Sequence, residues 1–388
     1  MPRRRPTPAG SPARKDGSVT TTLGVEEEYL LVDPESGLPV PEAESVRSQA
    51  RRHAGLDIAD VQPELLKAQL EVATPVCTTL DEIGCHLIRM RHELARAAEH
   101  VGCRIVASGT APAGDGSMMP ISEGERYLAI AANARRLATV QLIHGMHVHV
   151  AVPDREIGVQ VLNRVRPWLP TLVAMAANSP LWQGMDTGFA SWRTIHYARW
   201  PVEGQPPVFA DLEEYERRVD ALLAVGVMID RGQLYWQVRL SERFPTIEIR
   251  CPDVQLRVQD AVLIAGLVRA LVVTAIQQHQ EKAPYAAPDT ELLRAACWMA
   301  ARDGLDGDLF GPVGRTGTAR RIDAGDLVGE LLAHITPVLD ELGDTTRVLA
   351  LAERLILEGT GADRQREAFA AGGMRAVVDL LAADAIAF

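Results

Sequence analysis

Residues 24–33 read GVEEEYLLVD, and the way this stretch folds governs how the rest of the chain is read. Val25, Tyr29, Leu30, Leu31 and Val32 favour a β-strand, yet Glu26, Glu27 and Glu28 stand side by side among them. Alternation along a strand puts Glu26 and Glu28 on one face and Glu27 on the other. Two carboxylates about 7 Å apart repel by roughly 2 kcal/mol at an effective dielectric of about 20. An exposed sheet edge, where water screens the repulsion, is one environment that tolerates such a pair. A bound cation is the other.

The same division of faces recurs further along. In GMHVHVAVPD (145–154), Met146, Val148, Val150 and Val152 point one way and His147 and His149 the other. LEVATPV (70–76) places Glu71 in an apolar, strand-like run, with Glu64 seven residues earlier. A hairpin is predicted from LYWQVRL (234–240), the connection SERFP (241–245) and TIEIRCPD (246–253). Gln237 and Arg239 share one face of its first strand, and Thr246, Glu248 and Arg250 share one face of its second. The complementary positions, Trp236, Val238, Leu240, Ile247, Ile249 and Cys251, are apolar.

Each feature alone has a plain structural explanation. An HxH pair suits a solvated strand face, Glu71 suits a helix end, and Glu/Arg alternation suits an exposed face whose cross-strand ion pairs each contribute well under about 1 kcal/mol. Four segments with the same division favour one shared polar surface. Glu26, Glu28, Glu64, Glu71 and Glu248 would then be five carboxylates facing inward, a cluster that only divalent cations stabilise. Oxygen-rich ligation with one imidazole, His147, suits Mg²⁺ or Mn²⁺ rather than a thiol-rich zinc site. Interior arginines such as Arg239 and Arg250 would suit a nucleotide whose phosphates are held through metal.

Other chemistries lack their residues. There is no GxxxxGK[ST], no GxGxxG between strand and helix, and no GxSxG elbow. The five cysteines, Cys77, Cys85, Cys103, Cys251 and Cys297, are odd in number and without CxxC spacing, which fits free thiols in a reducing cytoplasm. A net charge of −11 argues against general nucleic-acid binding. Residues 1–21 are basic and rich in Pro, Ser and Thr without an apolar segment, and read as a disordered tail rather than a signal peptide. No run of 18 uncharged apolar residues occurs, so a soluble, cytoplasmic protein with no membrane partner is expected.

Hydrophobic spacing predicts a helix over 80–101, with Thr79 as N-cap and Gly102 as its stop. CRIVASGT (103–110) reads as a short buried strand. A helical stretch over 155–178 is interrupted by Pro167 and Pro170, and 212–230 is helical. From Val254 onward the pattern is almost entirely helical, in segments broken at 282–289, 303–317 and 359–365. The expected class is α+β: four to six strands in the first two thirds forming a largely antiparallel sheet, helices on one side, and a helical C-terminal region, in a single domain over 22–388.

Taken in order, TLGVEEEYLLVD (22–33), LLKAQLEVATPV (65–76), ASGTAP (107–112), GMHVHVAVPD (145–154), NSPLWQGMDTGFASWR (178–193), YWQVRL (235–240), FPTIEIRCPD (244–253) and GTGADRQR (359–366) resemble the pattern of bacterial carboxylate–amine ligases, also called glutamate–cysteine ligase type 2, of the glutamine-synthetase-like superfamily. The resemblance runs from about Thr21 to the C-terminus. It implies a curved antiparallel sheet with helices on its convex side, a concave face holding ATP and divalent metal, and amide formation through an acyl phosphate. Carried over by motif, Glu26, Glu28, Glu71, His147 and Glu248 resemble metal ligands, with Glu64 as a companion. Arg250 resembles the arginine that contacts the transferring phosphoryl group, and Arg193 a substrate-loop arginine. The implied substrates are L-glutamate and L-cysteine or another amine, and a homo-oligomer is compatible with the pattern. Gln237 stands where relatives usually carry Asp, and Ala111 where some carry His. Two other readings stay open: a metallohydrolase that activates water with His147, His149 and carboxylates, and a non-catalytic nucleotide-binding protein on the same fold.

Overall fold

The computed structural model describes residues 21–53, 61–114, 116–311 and 320–387, so the tail expected over 1–21 lies, apart from Thr21, outside the described residues. The glutamate-rich stretch forms β1 (Leu23–Val32), the strand on which the main sheet is built. β2 (Val61–Pro63), β3 (Gln69–Ala73), β4 (Arg104–Val106) and β5 (Met146–Ala151) follow. β6 (Leu181–Trp182) and β7 (Met185–Asp186) form a separate short pair, and the predicted hairpin supplies β8 (Val238–Leu240) and β9 (Thr246–Ile249). The main sheet has seven strands in the order β2-β3-β1-β5-β9-β8, with β4 also pairing with β1. Every pairing in it is antiparallel. The first two thirds thus hold more strands than the four to six expected from sequence. The extra ones are two or three residues long, too short for alternation to reveal.

Helices surround the sheet. α1 (Ala43–His53) and α2 (Leu80–Val101) pack together, and α2 begins and ends where the sequence predicts. Thr79 and Glu82 form a reciprocal capping box, and Gly102 closes the helix at φ 87° in the left-handed region. α3 (Glu125–Ala134) and α4 (Arg136–Thr139) are short. The helical stretch from 155 splits at Pro167 into α5 (Arg155–Val165), a 3₁₀ turn and α6 (Leu169–Met175). After α7 (Trp192–Tyr197) and α8 (Leu212–Ala224) comes α9 (Val258–Gln280). α10 (Thr290–Asp303), α11 (Ala324–Leu342), α12 (Thr345–Glu358) and α13 (Gly361–Ala385) complete the chain. The C-terminal region is not purely helical: β10 (Asp308–Gly311) and β11 (Arg320–Asp323) pair where the sequence reads as a glycine-rich break.

α9 is the centre of the main core. By length and composition it could cross a membrane, with a window of mean hydropathy 1.8, yet 94% of that window is buried inside the protein. It contacts β5, α2, α5, α11 and α12. Each fully buried Val, Leu or Ile along it stabilises the fold by about 1.5–3 kcal/mol. Gly266 lets α12 and α2 approach closely, since a Cβ there would sit 2.9 Å from Val348 Cγ2 and 3.0 Å from Leu80 Cδ1.

Along β1, Leu23, Val25, Tyr29 and Leu31 join this core. Leu30 and Val32 point to the opposite face and join a second, smaller cluster with Val106, Leu66 and, from α13, Val377, Val378 and Leu381. That cluster covers the C-terminal half of β1 on the face carrying Glu26 and Glu28. The polar surface is thereby confined to one end of the sheet.

Candidate active site

Strand register brings the carboxylates together. Glu28 lies opposite Glu71 across β1 and β3, and Glu26 opposite His147 across β1 and β5. His149 lies opposite Glu248, and Glu248 opposite Arg239. Directly opposed residues share a face, so five antiparallel strands deliver one continuous polar surface. Glu64 enters from the turn after β2.

His147 Nδ1 lies 3.0 Å from Glu26 Oε2 and 4.0 Å from Glu248 Oε1, and its Nε2 is 3.8 Å from Glu28 Oε1. His149 Nε2 is 3.4 Å from Glu26 Oε1, and its Nδ1 is 3.0 Å from the Thr246 hydroxyl. The backbone N–H of Gly145 donates to Glu28 Oε2 at 2.6 Å. Ligand atoms within 4.8 Å of one another form three sets: Glu26, Glu71 and His147; Glu26, His149 and Glu248; Glu28, Glu64 and Glu71. His149 therefore joins the cluster beside the residues singled out from sequence.

Two arginines flank Glu248. Arg250 Nη1 donates to its carboxylate and lies 3.4 Å from His147 Nδ1. Arg239 donates to both oxygens, at 2.8 and 3.1 Å, and its Nη1 donates to the carbonyls of Gly232 and Leu234. Four of the five N–H donors of Arg239 are thus occupied, and the residue mainly fixes Glu248. Arg193 is buried; it donates to the carbonyls of Cys251 and Arg250 at 3.1 and 3.2 Å and packs against Gly145, where a Cβ would come within 2.9 Å of its Cζ. Its backbone position is set by Ser179 and, through Ser191, by the buried carboxylate of Asp253. Asp253 Oδ2 also accepts from the backbone N–H of Asn178, whose side chain meets Gln365.

The electrostatics of the cluster are unbalanced. Burial, then repulsion from Glu28, pushes the Glu64 carboxyl up to about 7. Burial and the charges of Glu26, Glu64 and Glu28 raise Glu71 well above the usual range. Burial works against ionised Glu26 as well, but hydrogen bonds from His147 and His149 outweigh it and hold this carboxyl low. Glu248 is likewise held low, its burial outweighed by Arg250 and Arg239. Burial and the neighbouring Arg250 lower His147, leaving its imidazole neutral at pH 7. Neutral imidazole among carboxylates that repel one another is a donor set suited to hard divalent cations, which would supply the missing positive charge.

Some residues near the site escape sequence reasoning. Tyr197, Glu203 and Tyr235 lie close to Arg193 and Arg250. Glu203 is a lone carboxylate in a Pro- and Gly-rich loop, where no periodicity marks it. Asp253 sits within a quoted motif, but its burial has no local signal.

An antiparallel sheet bearing a carboxylate–imidazole cluster with arginines at its rim offers donors of the kind that suit hard divalent cations and phosphate or carboxylate groups. Residues 22–379 match glutamate-cysteine ligase family 2 (GCS2), and the chain belongs to that family. It is 42% identical to the "Putative glutamate--cysteine ligase 2-2" of Mycobacterium sp. (strain KMS), over 93% of this chain and 97% of that protein. It is 44% identical to the "Putative glutamate--cysteine ligase 2" of Salinispora arenicola, over 93% and 94% respectively. Among solved structures it is similar to a glutamate–cysteine ligase from Francisella tularensis in complex with AMP, with a TM-score of 0.71, 12% identity, and 95% of this chain and 90% of that one covered. A bifunctional glutathione synthetase from Pasteurella multocida gives a TM-score of 0.66 at 14% identity, covering 94% of this chain and 52% of that one. At such identities the likeness establishes a shared fold.

Proposed function

We propose that this chain is an ATP-dependent carboxylate–amine ligase, joining the γ-carboxylate of L-glutamate to the amine of L-cysteine, or of another amine, through an acyl phosphate in the cytoplasm. The observation that carries this reading is the convergence of Glu26, Glu28, Glu64, Glu71, His147 and Glu248 on one end of one sheet face, with Arg250 bonded into the same cluster. The names of the family and of its relatives favour glutamate and cysteine, and the AMP of the Francisella enzyme favours an adenine nucleotide.

In this mechanism the five glutamates and His147 would hold two or three Mg²⁺ or Mn²⁺ ions. Bound there, the ions would withdraw negative charge from the phosphates during phosphoryl transfer. Arg250 is anchored through Glu248 and offers its remaining N–H groups to the transferring phosphoryl. Arg239 keeps Glu248 in place, and Arg193 holds the carbonyls of Arg250 and Cys251, fixing the end of β9. The second cluster over Leu30 and Val32 limits water at one edge of the site. Five free thiols accord with a reducing compartment.

The test is an ADP-release screen of amino-acid carboxylates crossed with amines, run with Mg²⁺ and with Mn²⁺. Release that requires both an acid and an amine, largest for glutamate with cysteine, is the expected result. Silence with every pair, or ATP-independent amide cleavage in its place, would refute the reading.

A further inference from the structure

Arg250 belongs to two places at once. One N–H meets Glu248 in the carboxylate cluster, and the same side chain lines a narrow cleft beside it. Arg193, Tyr197, Glu203, Tyr235 and Gln237 also line that pocket. The Tyr197 and Tyr235 rings stand 5.3 Å apart, and the Arg193 guanidinium lies 5.5 Å from the centre of the Tyr197 ring. Two guanidiniums, two aromatic rings and one carboxylate complement a molecule carrying both a carboxylate and an ammonium group.

Glu203 is the carboxylate of that pocket, and it is held by neutral groups. Gln237 Nε2 donates to its Oε1 at 3.2 Å. Gln237 is itself fixed, its Oε1 accepting from Gln205 Nε2 at 2.8 Å and from the Cys297 thiol at 3.3 Å, and its backbone N–H donating to Gly204. No Lys or Arg forms an ion pair with Glu203 among the described residues, so its basicity is not quenched by a direct cationic partner. A carboxylate at position 237 would face Glu203 with like charge; glutamine donates to it instead.

We propose that Glu203 is the base that takes a proton from the ammonium group of the amine substrate, and that Gln237 positions it. This inference rests on the ligase reading given above. An ammonium nitrogen has no lone pair and cannot attack. Transfer of one proton from the ammonium to Glu203 frees the lone pair, which forms the C–N bond to the acyl carbon of the acyl phosphate. The C–O bond to phosphorus breaks on the carbon side, and its electron pair leaves with the phosphate. The leaving phosphate takes the second proton lost by nitrogen, and Glu203 passes its own proton to solvent once the products depart. The surroundings of Glu203 favour this role. Burial, only partly offset by Gln237, Arg193 and Arg294, brings its carboxyl to about 7, where it exchanges protons readily at neutral pH.

Hydroxylamine tests the assignment because it is largely unprotonated at neutral pH and attacks acyl phosphates without a base. With L-glutamate and ATP, Glu203→Gln is expected to lower turnover with L-cysteine, or with the best amino acid of the screen, about 100-fold or more, and hydroxamate formation by less than about 5-fold. Glu203→Asp should recover part of the amino-acid rate, and Gln237→Asp should depress the same ratio in the same direction. Equal losses with both nucleophiles, or no loss with either, would overturn the role of Glu203 while leaving the ligase reading intact. Absence of ADP release from the unsubstituted protein with any acid and amine would sink the ligase reading first, before any substitution is made.

Discussion

Glu27 and Glu28 are neighbours in β1 with the same side chain, and the two faces of the sheet treat them in opposite ways. Glu27 is buried in the main core and answered in full. Arg91 of α2 meets both of its oxygens, with Nε–Oε2 at 2.9 Å and Nη2–Oε1 at 2.5 Å, and the Tyr29 hydroxyl donates to it as well. The remaining N–H groups of Arg91 go to the carbonyls of Leu256, Gln255 and Ala385, so all five of its donors are used. Glu28 faces Glu64 and Glu71 instead, and the only hydrogen bond it accepts among the described residues comes from the backbone N–H of Gly145. One carboxylate is complete within the protein; the other lacks an arginine or lysine partner among the described residues. A buried charge whose counter-charge is internal is a structural element, and one without it marks a ligand site.

Four experiments put that contrast at risk. The largest effect is expected at Glu28→Gln, which should cut turnover by about 10³-fold or more, several kcal/mol of transition-state stabilisation, while leaving the metal-free protein as stable as before or more so. Wild-type rates in that variant would remove Glu28 from the site. On the other face, Arg91→Met leaves Glu27 buried without its counter-charge, with the Tyr29 hydroxyl as its remaining donor, and should cost about 3–5 kcal/mol in urea unfolding. Pairing it with Glu27→Gln should restore much of the loss, and a single variant as stable as the parent would erase the distinction between the faces.

A third, smaller effect is cation-dependent. Mn²⁺ or Mg²⁺ at about 100 times its dissociation constant should raise wild-type stability by about 2.7 kcal/mol and should do less for Glu71→Gln. Thermal melts with chelator and with added cation measure this; identical shifts in both proteins would count against the cluster as a cation site. The smallest effect is in pH. Glu64 has its carboxyl raised from 4.5 to about 7 in the folded chain, so between these values the native state holds a proton that the unfolded chain has released. Stability from this group is present below about 4.5 and lost as pH rises through about 7. Without metal, the gap between wild type and Glu64→Gln should therefore shift in favour of the variant across that range, and parallel curves would show that Glu64 is not so perturbed.

Much of the sheet was legible because its signal is local. The alternation of Met146, Val148 and Val150 against His147 and His149, and of Ile247 and Ile249 against Glu248 and Arg250, states which face joins the apolar core without reference to any other strand. The same holds for the ends of α2, where Thr79, Glu82 and Gly102 act on backbone groups within a turn. Arg91 had a signal that could have been read: it occupies the apolar stripe of α2, between Leu87 and Leu94, where a solvated arginine has no reason to be. The β10–β11 pair, β2 and the β6–β7 pair had none, since so few residues carry no period.

The order of amino acids alone settles which residues alternate, where α2 begins and ends, and that Glu26 and Glu28 share a face, because these follow from backbone geometry over a few positions; the helix expected over 212–230 stops at Ala224. It took the assembled fold to bring Glu64, Glu71, His147, His149 and Glu248 to them, to neutralise Glu27 with Arg91 from 64 residues away, and to set Glu203 in a pocket beside Arg250. Strand register and helix docking, set by burial summed over the whole core, fix those distances, and no short stretch of chain contains that sum.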